Sequence, residues 1–386
     1  MATITPIADG IRYSSGPLSG DIAFHVKQLP EMLDDKEFGC CFLASQYFTA
    51  ENDFFRVNLK NDNGNKEVLG WVFHINLLTE DEDFYNDLDT FLLRYLHVGL
   101  HKLIEYSIGE GILKNEKGTI DDLGLSEDLI ILVYRLSICS EVDIIKLIPS
   151  LYDNGFVFLD NPRELDLSKL RVNQYLKERI DDFKSDLNKS CINLYKVASV
   201  FDDVYYVKSL FMTYLPSIAD PYLRYLMSYQ IIEILMSVEY GNKYYEYVTK
   251  FGNDKRHNLM DKFGELSSEA KLINKIFEVG AHESFHQDYI VSAKTLIDNI
   301  GEGDFKDNPE FPDYMYKIRN LVVHNLSVMR DFPQEMERIA DIYELIIADI
   351  IRRTSLNVKQ NKRLFLIDMD KTFKENKKTF YDAYHQ

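Results

Sequence analysis

The sequence predicts an α+β protein, with a mixed N-terminal part followed by an all-α helical bundle. Three observations carry this. In the first third, short runs rich in β-branched and aromatic residues alternate with turn residues. Beyond about Leu167, apolar residues recur at helical spacing almost without interruption. Finally, 386 residues are too many for one ordinary core, and the change of pattern divides the chain into 1–172 and 173–386.

The elements follow in order. GDIAFHVKQL, FGCCFLASQYFTA and FFRVNLK read as strands. NDNGNKE reads as a hairpin turn, because Asn and Gly tolerate positive φ, and VLGWVFHINL is the return strand. From about Asp87 to Ile112, Phe91, Tyr95, Val98 and Leu103 recur at helical spacing, and Gly109 and Gly111 end the helix. Between Ser126 and Val172, SEDLIILVYRLS and EVDIIKLIPSLYDNG read as two helices, followed by FVFLDNPRELDLS. That outline suggests a winged-helix-like unit over 126–172, although two packed helices and a hairpin fit the same residues. Its second helix carries Glu141, Asp143 and Asp153, the wrong sign for phosphates, so its expected contact is protein. Helices then run over Asn173–Val200, Pro221–Tyr240, Ser267–Asn299, Pro312–Met329 and Gln334–Thr354, before a charged tail.

Composition narrows the function classes. A hydrophobic content of 46% is enough for packed cores. The net charge of −18 argues against an extended nonspecific nucleic-acid surface, but a small basic cleft remains compatible because a site is local. Cys40, Cys41, Cys139 and Cys191 form no CxxC pair, which points to free thiols in a reducing cytoplasm. No signal-peptide pattern opens the chain and no apolar run is long enough to span a bilayer, so the expectation is a cytoplasmic protein with no membrane partner. Phosphate-binding GxxxxGK[ST] and GxGxxG loops and the GxSxG elbow are absent.

The segment PEFPDYMYKIRNLVVHNLSVM carries the chemistry. On a helical wheel Met315, Ile318, Val322, Leu326 and Met329 share the core face. Asn320 and His324, four apart, share the opposite face. Arg319 lies between the two and its long side chain can lean toward the polar one; Tyr316, Leu321 and Val323 flank that stripe with apolar surface. A polar pair rimmed by apolar side chains suits a subunit interface with a cleft.

The pattern R-N-x-x-x-H resembles the signature of the HEPN domains, which is Arg, four to six residues, then His, often with Asn after the Arg. The upstream helix YLRYLMSYQIIEILMSVEY, apolar nearly all round, resembles their early helix, where an acidic residue faces the motif; Glu233 is the matching residue. The resemblance covers about Pro221 to the C-terminus and implies a metal-independent endoribonuclease without cofactor, acting as a homodimer on tRNA or other cellular RNA. Its setting would be a bacterial toxin or anti-phage defence effector. His324 would move the proton of the 2′-OH or of the leaving 5′-oxygen. Arg319 would hold the phosphate and Asn320 would orient the His or donate to the phosphate. Residues 1–172 would then sense a trigger, such as a phage component, or bind a regulatory protein.

Two alternatives use other residues or no chemistry. His282, Glu283 and His286 spell H-E-x-x-H, the pattern of a zinc hydrolase, but a third ligand is offered only by Glu302 or Glu310, and this half lacks an edge strand for a peptide substrate. His97 and His101 are also four apart, with no third ligand nearby. A non-catalytic interaction protein is the other alternative; Arg319 in a local ion pair with His324 alone in solvent would favour it.

Overall fold

The computed structural model describes residues 3–7, 10–15, 18–23, 35–48, 54–60, 64–78, 90–111, 117–118, 125–126, 128–185, 191–201, 205–251, 268–277, 283–301 and 308–353. The chain is mixed α+β, a sheet-bearing N-terminal part followed by a helical C-terminal region. It forms two compact units, one of Met1–Val172 with Lys177–Lys196, the other of Asn173–Leu176 with Val197–Gln386.

Among the described residues the first unit holds two sheets. Strands β1 (Thr3–Ile7), β2 (Gly10–Ser15) and β3 (Leu18–Ala23) form an antiparallel meander, to which β7 (Lys117–Gly118) adds in parallel. The larger sheet has the order β10-β5-β6-β8-β4-β9. Its members are β4 (Phe38–Ala44), β5 (Phe54–Lys60), β6 (Lys66–His74), β8 (Ile130–Arg135), β9 (Val157–Leu159) and β10 (Cys191–Tyr195). The expected β5–β6 hairpin is present, with Lys60 opposite Lys66. Helix α1 (Thr90–Gly109) packs on β4 and β8. Tyr95, Leu96 and Leu103 from the helix and Phe73, Ile131 and Val133 from the sheet form the buried core between them. Gly70 lets β6 and β8 approach: a Cβ there would lie 1.9 Å from the Val133 carbonyl oxygen.

Two sequence expectations are corrected here. The segment expected to be the first helix of a winged-helix-like unit is β8, a central strand, so that unit does not form. IILVYR is a six-residue run, buried along nearly its whole length, and such a run suits a strand with both faces covered as well as it suits a buried helix. The second expected helix is present in short form: a 3-10 turn (Ile144–Leu147) leads into α2 (Ile148–Asp153), and Gly155 at φ +83° turns the chain into β9. The single helix expected over Asn173–Val200 is α3 (Gln174–Ser185) followed by β10, which pairs in parallel with β5. Residues 177–196 therefore belong to the first unit, across the expected 172/173 boundary.

The second unit is helical. Helix α4 (Tyr205–Ser209) runs through a π turn (Leu210–Tyr214) into α5 (Leu215–Ser217). The long α6 (Pro221–Phe251) follows, then α7 (Glu269–Phe277), α8 (Glu283–Ile300), α9 (Phe311–His324), α10 (Leu326–Met329) and α11 (Pro333–Arg353). Helix α6 packs on α7, α9 and α11, and α8 packs on α9 and α11. As its all-round apolar sequence predicts, α6 buries residues on more than one side, among them Tyr229, Ile231 and Ile234.

Tyrosines fill the centre. The rings of Tyr225 and Tyr343 stack at 4.6 Å, and Tyr289 lies 5.8 Å from Tyr343. Buried phenols need hydrogen-bond partners. The Tyr225 and Tyr289 hydroxyls pair at 2.9 Å, and the Tyr225 hydroxyl donates to the Met315 carbonyl at 3.0 Å. Beside them Arg224, fully buried, faces Asp341 at 2.9 Å and also pairs with Glu344. The Asn173 amide donates to Glu344 at 2.9 Å. Among the described residues no helix is long and apolar enough to cross a membrane.

Candidate active site

Helix α9 presents Arg319, Asn320 and His324. Pro312 stands in its first turn, where a missing N–H costs nothing, and the Glu310 backbone N–H donates to Asp313 Oδ2 at 2.9 Å, which fixes the helix start. The core face is as the wheel predicts at Met315, Ile318, Val322 and Met329, all buried. Two local readings are corrected. Leu321 is buried rather than flanking the polar stripe. The helix also does not run through to Met329: Asn325 leaves helical geometry at φ −126° and ψ 34°, and its N–H caps the Leu321 carbonyl at 2.8 Å. An Asn whose short side chain competes for backbone partners favours such a stop. His324 is thus the last residue of α9.

Arg319 is 23% exposed and sits at the centre of a polar cluster. Its Nη1 donates to Asn320 Oδ1 at 3.0 Å. Its Nη2 lies 4.0 Å from Glu233 Oε1 on α6 and 4.0 Å from Glu269 Oε1 at the start of α7. The guanidinium stands over the Tyr229 ring, 5.6 Å from its centroid, and the Tyr229 hydroxyl donates to Glu269 Oε1 at 2.9 Å. Beneath the cluster, the Tyr225 hydroxyl bonds the Met315 carbonyl, the group that in an α-helix accepts from the N–H of residue 319. The arginine is therefore braced from its backbone outward.

The electrostatics follow from crowding. Although the Glu233 side chain keeps 49% of its surface, the surrounding protein raises its pKa; the Arg319 charge opposes that rise and Glu269 reinforces it. Burial, then the negative charge of Glu269, pushes the Tyr229 phenol up, so it stays a donor.

Of the four residues expected to act together, the chain gathers Arg319, Asn320 and Glu233. The His324 side chain stands apart and exposed, with no hydrogen bond or ion pair to another described residue. The sequence reading missed Tyr229 and Glu269. Tyr229 had a signal, since it lies one turn before Glu233 on the same helix face. Glu269 had none, because only packing brings the start of α7 to α9.

The competing constellations end differently. His282 and the side chain of Glu283 lie outside the described residues. His286 lies flat on Phe311, with ring centroids 3.9 Å apart, and burial lowers its pKa to about 4. His97 is buried in α1, where burial and then the His101 charge lower its pKa to about 4. Among the described residues no three His, Cys, Asp or Glu side chains converge as a metal-binding group.

No family model matches the chain, and no curated protein or solved structure matches it.

Proposed function

We propose that the helical region is a HEPN-like, metal-independent endoribonuclease that acts as a homodimer, and that the protein serves as a bacterial toxin or anti-phage defence effector cutting tRNA or other cellular RNA. The observation that carries this reading is the approach of Glu233 to Arg319, the acidic residue and the arginine that the resemblance pairs. Arg319 supplies a cation braced from below, suited to bidentate contact with a phosphodiester. His324, exposed at the end of α9, is free to reach a substrate 2′-OH or the leaving 5′-oxygen, and a second protomer supplies the second His for the complementary acid or base step. The product ends would be a 2′,3′-cyclic phosphate and a 5′-hydroxyl. The first unit, with its own sheets and core, would sense the trigger or hold a regulatory protein.

A second reading has an observation in its favour. Arg319 faces two carboxylates within its own chain, and His324 has no partner among the described residues, as in a HEPN-fold protein used for interaction without catalysis. One experiment separates the two: cleavage of total RNA and of tRNA in EDTA by the wild type, His324→Ala and Arg319→Ala. The nuclease reading expects wild-type cleavage reduced by at least ~100-fold in both variants, the usual worth of a general acid–base or a transition-state donor. Cleavage that survives both substitutions would place the chemistry elsewhere, and no cleavage by trigger-activated wild type would favour the interaction protein.

A further inference from the structure

On the reading just proposed, Arg319 must take a phosphate, yet in this chain it already faces Glu233 and Glu269. One cation and two carboxylates leave the ionised cluster with a net negative charge, which repels an incoming phosphodiester. At 4.0 Å each, the carboxylates attract the guanidinium without reaching hydrogen-bond distance. A phosphate oxygen making direct N–H···O bonds can displace one of them, against the pull of the other. The two carboxylates are held differently. Glu233 is half-exposed, and no hydrogen bond fixes it among those described. Glu269 is anchored by the Tyr229 hydroxyl at 2.9 Å, and the same Tyr229 ring lies under the guanidinium. Arg319, Tyr229 and Glu269, drawn from α9, α6 and α7, close a triangle.

We propose that Glu269, anchored by Tyr229, is a positioning residue that holds Arg319 in its working orientation and makes an RNA phosphodiester compete with a carboxylate for the guanidinium. It fixes the aim of Arg319 while weakening ground-state binding. The two effects separate experimentally. Glu269→Gln keeps an acceptor for the Tyr229 hydroxyl but removes the charge. RNA binding then tightens by roughly tenfold while turnover falls, because the freed arginine is less well aimed. Tyr229→Phe keeps the ring under Arg319 but releases Glu269, and shifts both quantities the same way by a smaller factor. In the Arg319→Ala background, Glu269→Gln gives no gain in affinity. A merely structural role would lower stability and move affinity and turnover down together.

The test uses the full chain and two readouts. The first is the rate at which phenylglyoxal modifies Arg319, followed by peptide mass spectrometry with the exposed Arg163 as internal reference. The second is affinity for a 2′-O-methyl oligoribonucleotide, which cannot be cleaved, set beside turnover of the unmodified oligomer. Severalfold faster modification in Glu269→Gln, with tighter binding and slower turnover, is the expected result. Unchanged modification overturns the proposal whatever the RNA does. Faster modification with weaker RNA binding also overturns it, because Glu269 would then be helping the ligand to bind. Faster modification with no RNA affinity in any variant upholds the hold on Arg319 and removes the ribonuclease reading beneath it.

Discussion

Two arginines of the helical unit meet carboxylates with opposite consequences. Arg224 is fully buried against Asp341 and Glu344, so removing it leaves two buried carboxylates without their counter-charge. Arg224→Met is expected to cost about 3–5 kcal/mol, read as a lower urea midpoint. Arg319 keeps 23% of its surface and its pairs are long, so Arg319→Ala should stay within about 1 kcal/mol of the wild type. An equal loss in both would mean that Arg319 is a structural residue and that any loss of activity in Arg319→Ala reports unfolding. The contrast also shows what sequence can reveal about a residue. Arg319, Asn320 and His324 were legible because their order lies within one helix. Arg224 was not, because its partners are 117 and 120 residues away and nothing in YLRYLM marks its arginine as buried.

At the scale of elements, long helical segments were readable and short apolar ones were not. Helices α1, α6 and α11 follow their periodicity over five or more turns' worth of spacing. The β8 segment reads as a helix in sequence because a six-residue buried run has no face to reveal its period. β10 is hidden inside a helical pattern because its strand character comes from pairing with β5, more than a hundred residues earlier. That dependence on pairing makes the sheet sensitive where strands approach most closely. A Cβ on Gly70 would meet a backbone oxygen of β8, which cannot yield without opening the ladder. Gly70→Ala is expected to destabilise by at least about 1–3 kcal/mol. Gly109→Ala, at the end of α1 with nothing within 4 Å, should be neutral or slightly stabilising. Comparing the two by urea denaturation checks the argument, and equal midpoints would mean that β6 and β8 are not packed as described.

At the scale of the whole molecule, the proposed ribonuclease reading requires a chain with 62 acidic and 44 basic residues to bind RNA without an extended basic surface. An extended basic surface would release many counterions, and affinity would fall steeply with salt. A site built on one braced arginine per protomer makes a different prediction. With two phosphate contacts in the proposed dimer, the logarithm of the binding constant should fall against the logarithm of salt concentration with a slope of about −1.4, the single-strand value for two neutralised phosphates. The surrounding negative field would lower affinity overall, so specificity would have to come from the shape and exposure of the target RNA rather than from charge. Binding of a 2′-O-methyl oligomer across salt concentrations measures the slope directly. A slope near −5 would mean a many-contact basic groove, incompatible with a site centred on Arg319. A shallow slope abolished in Arg319→Ala would tie RNA binding to that one side chain and explain how an acidic protein can carry it.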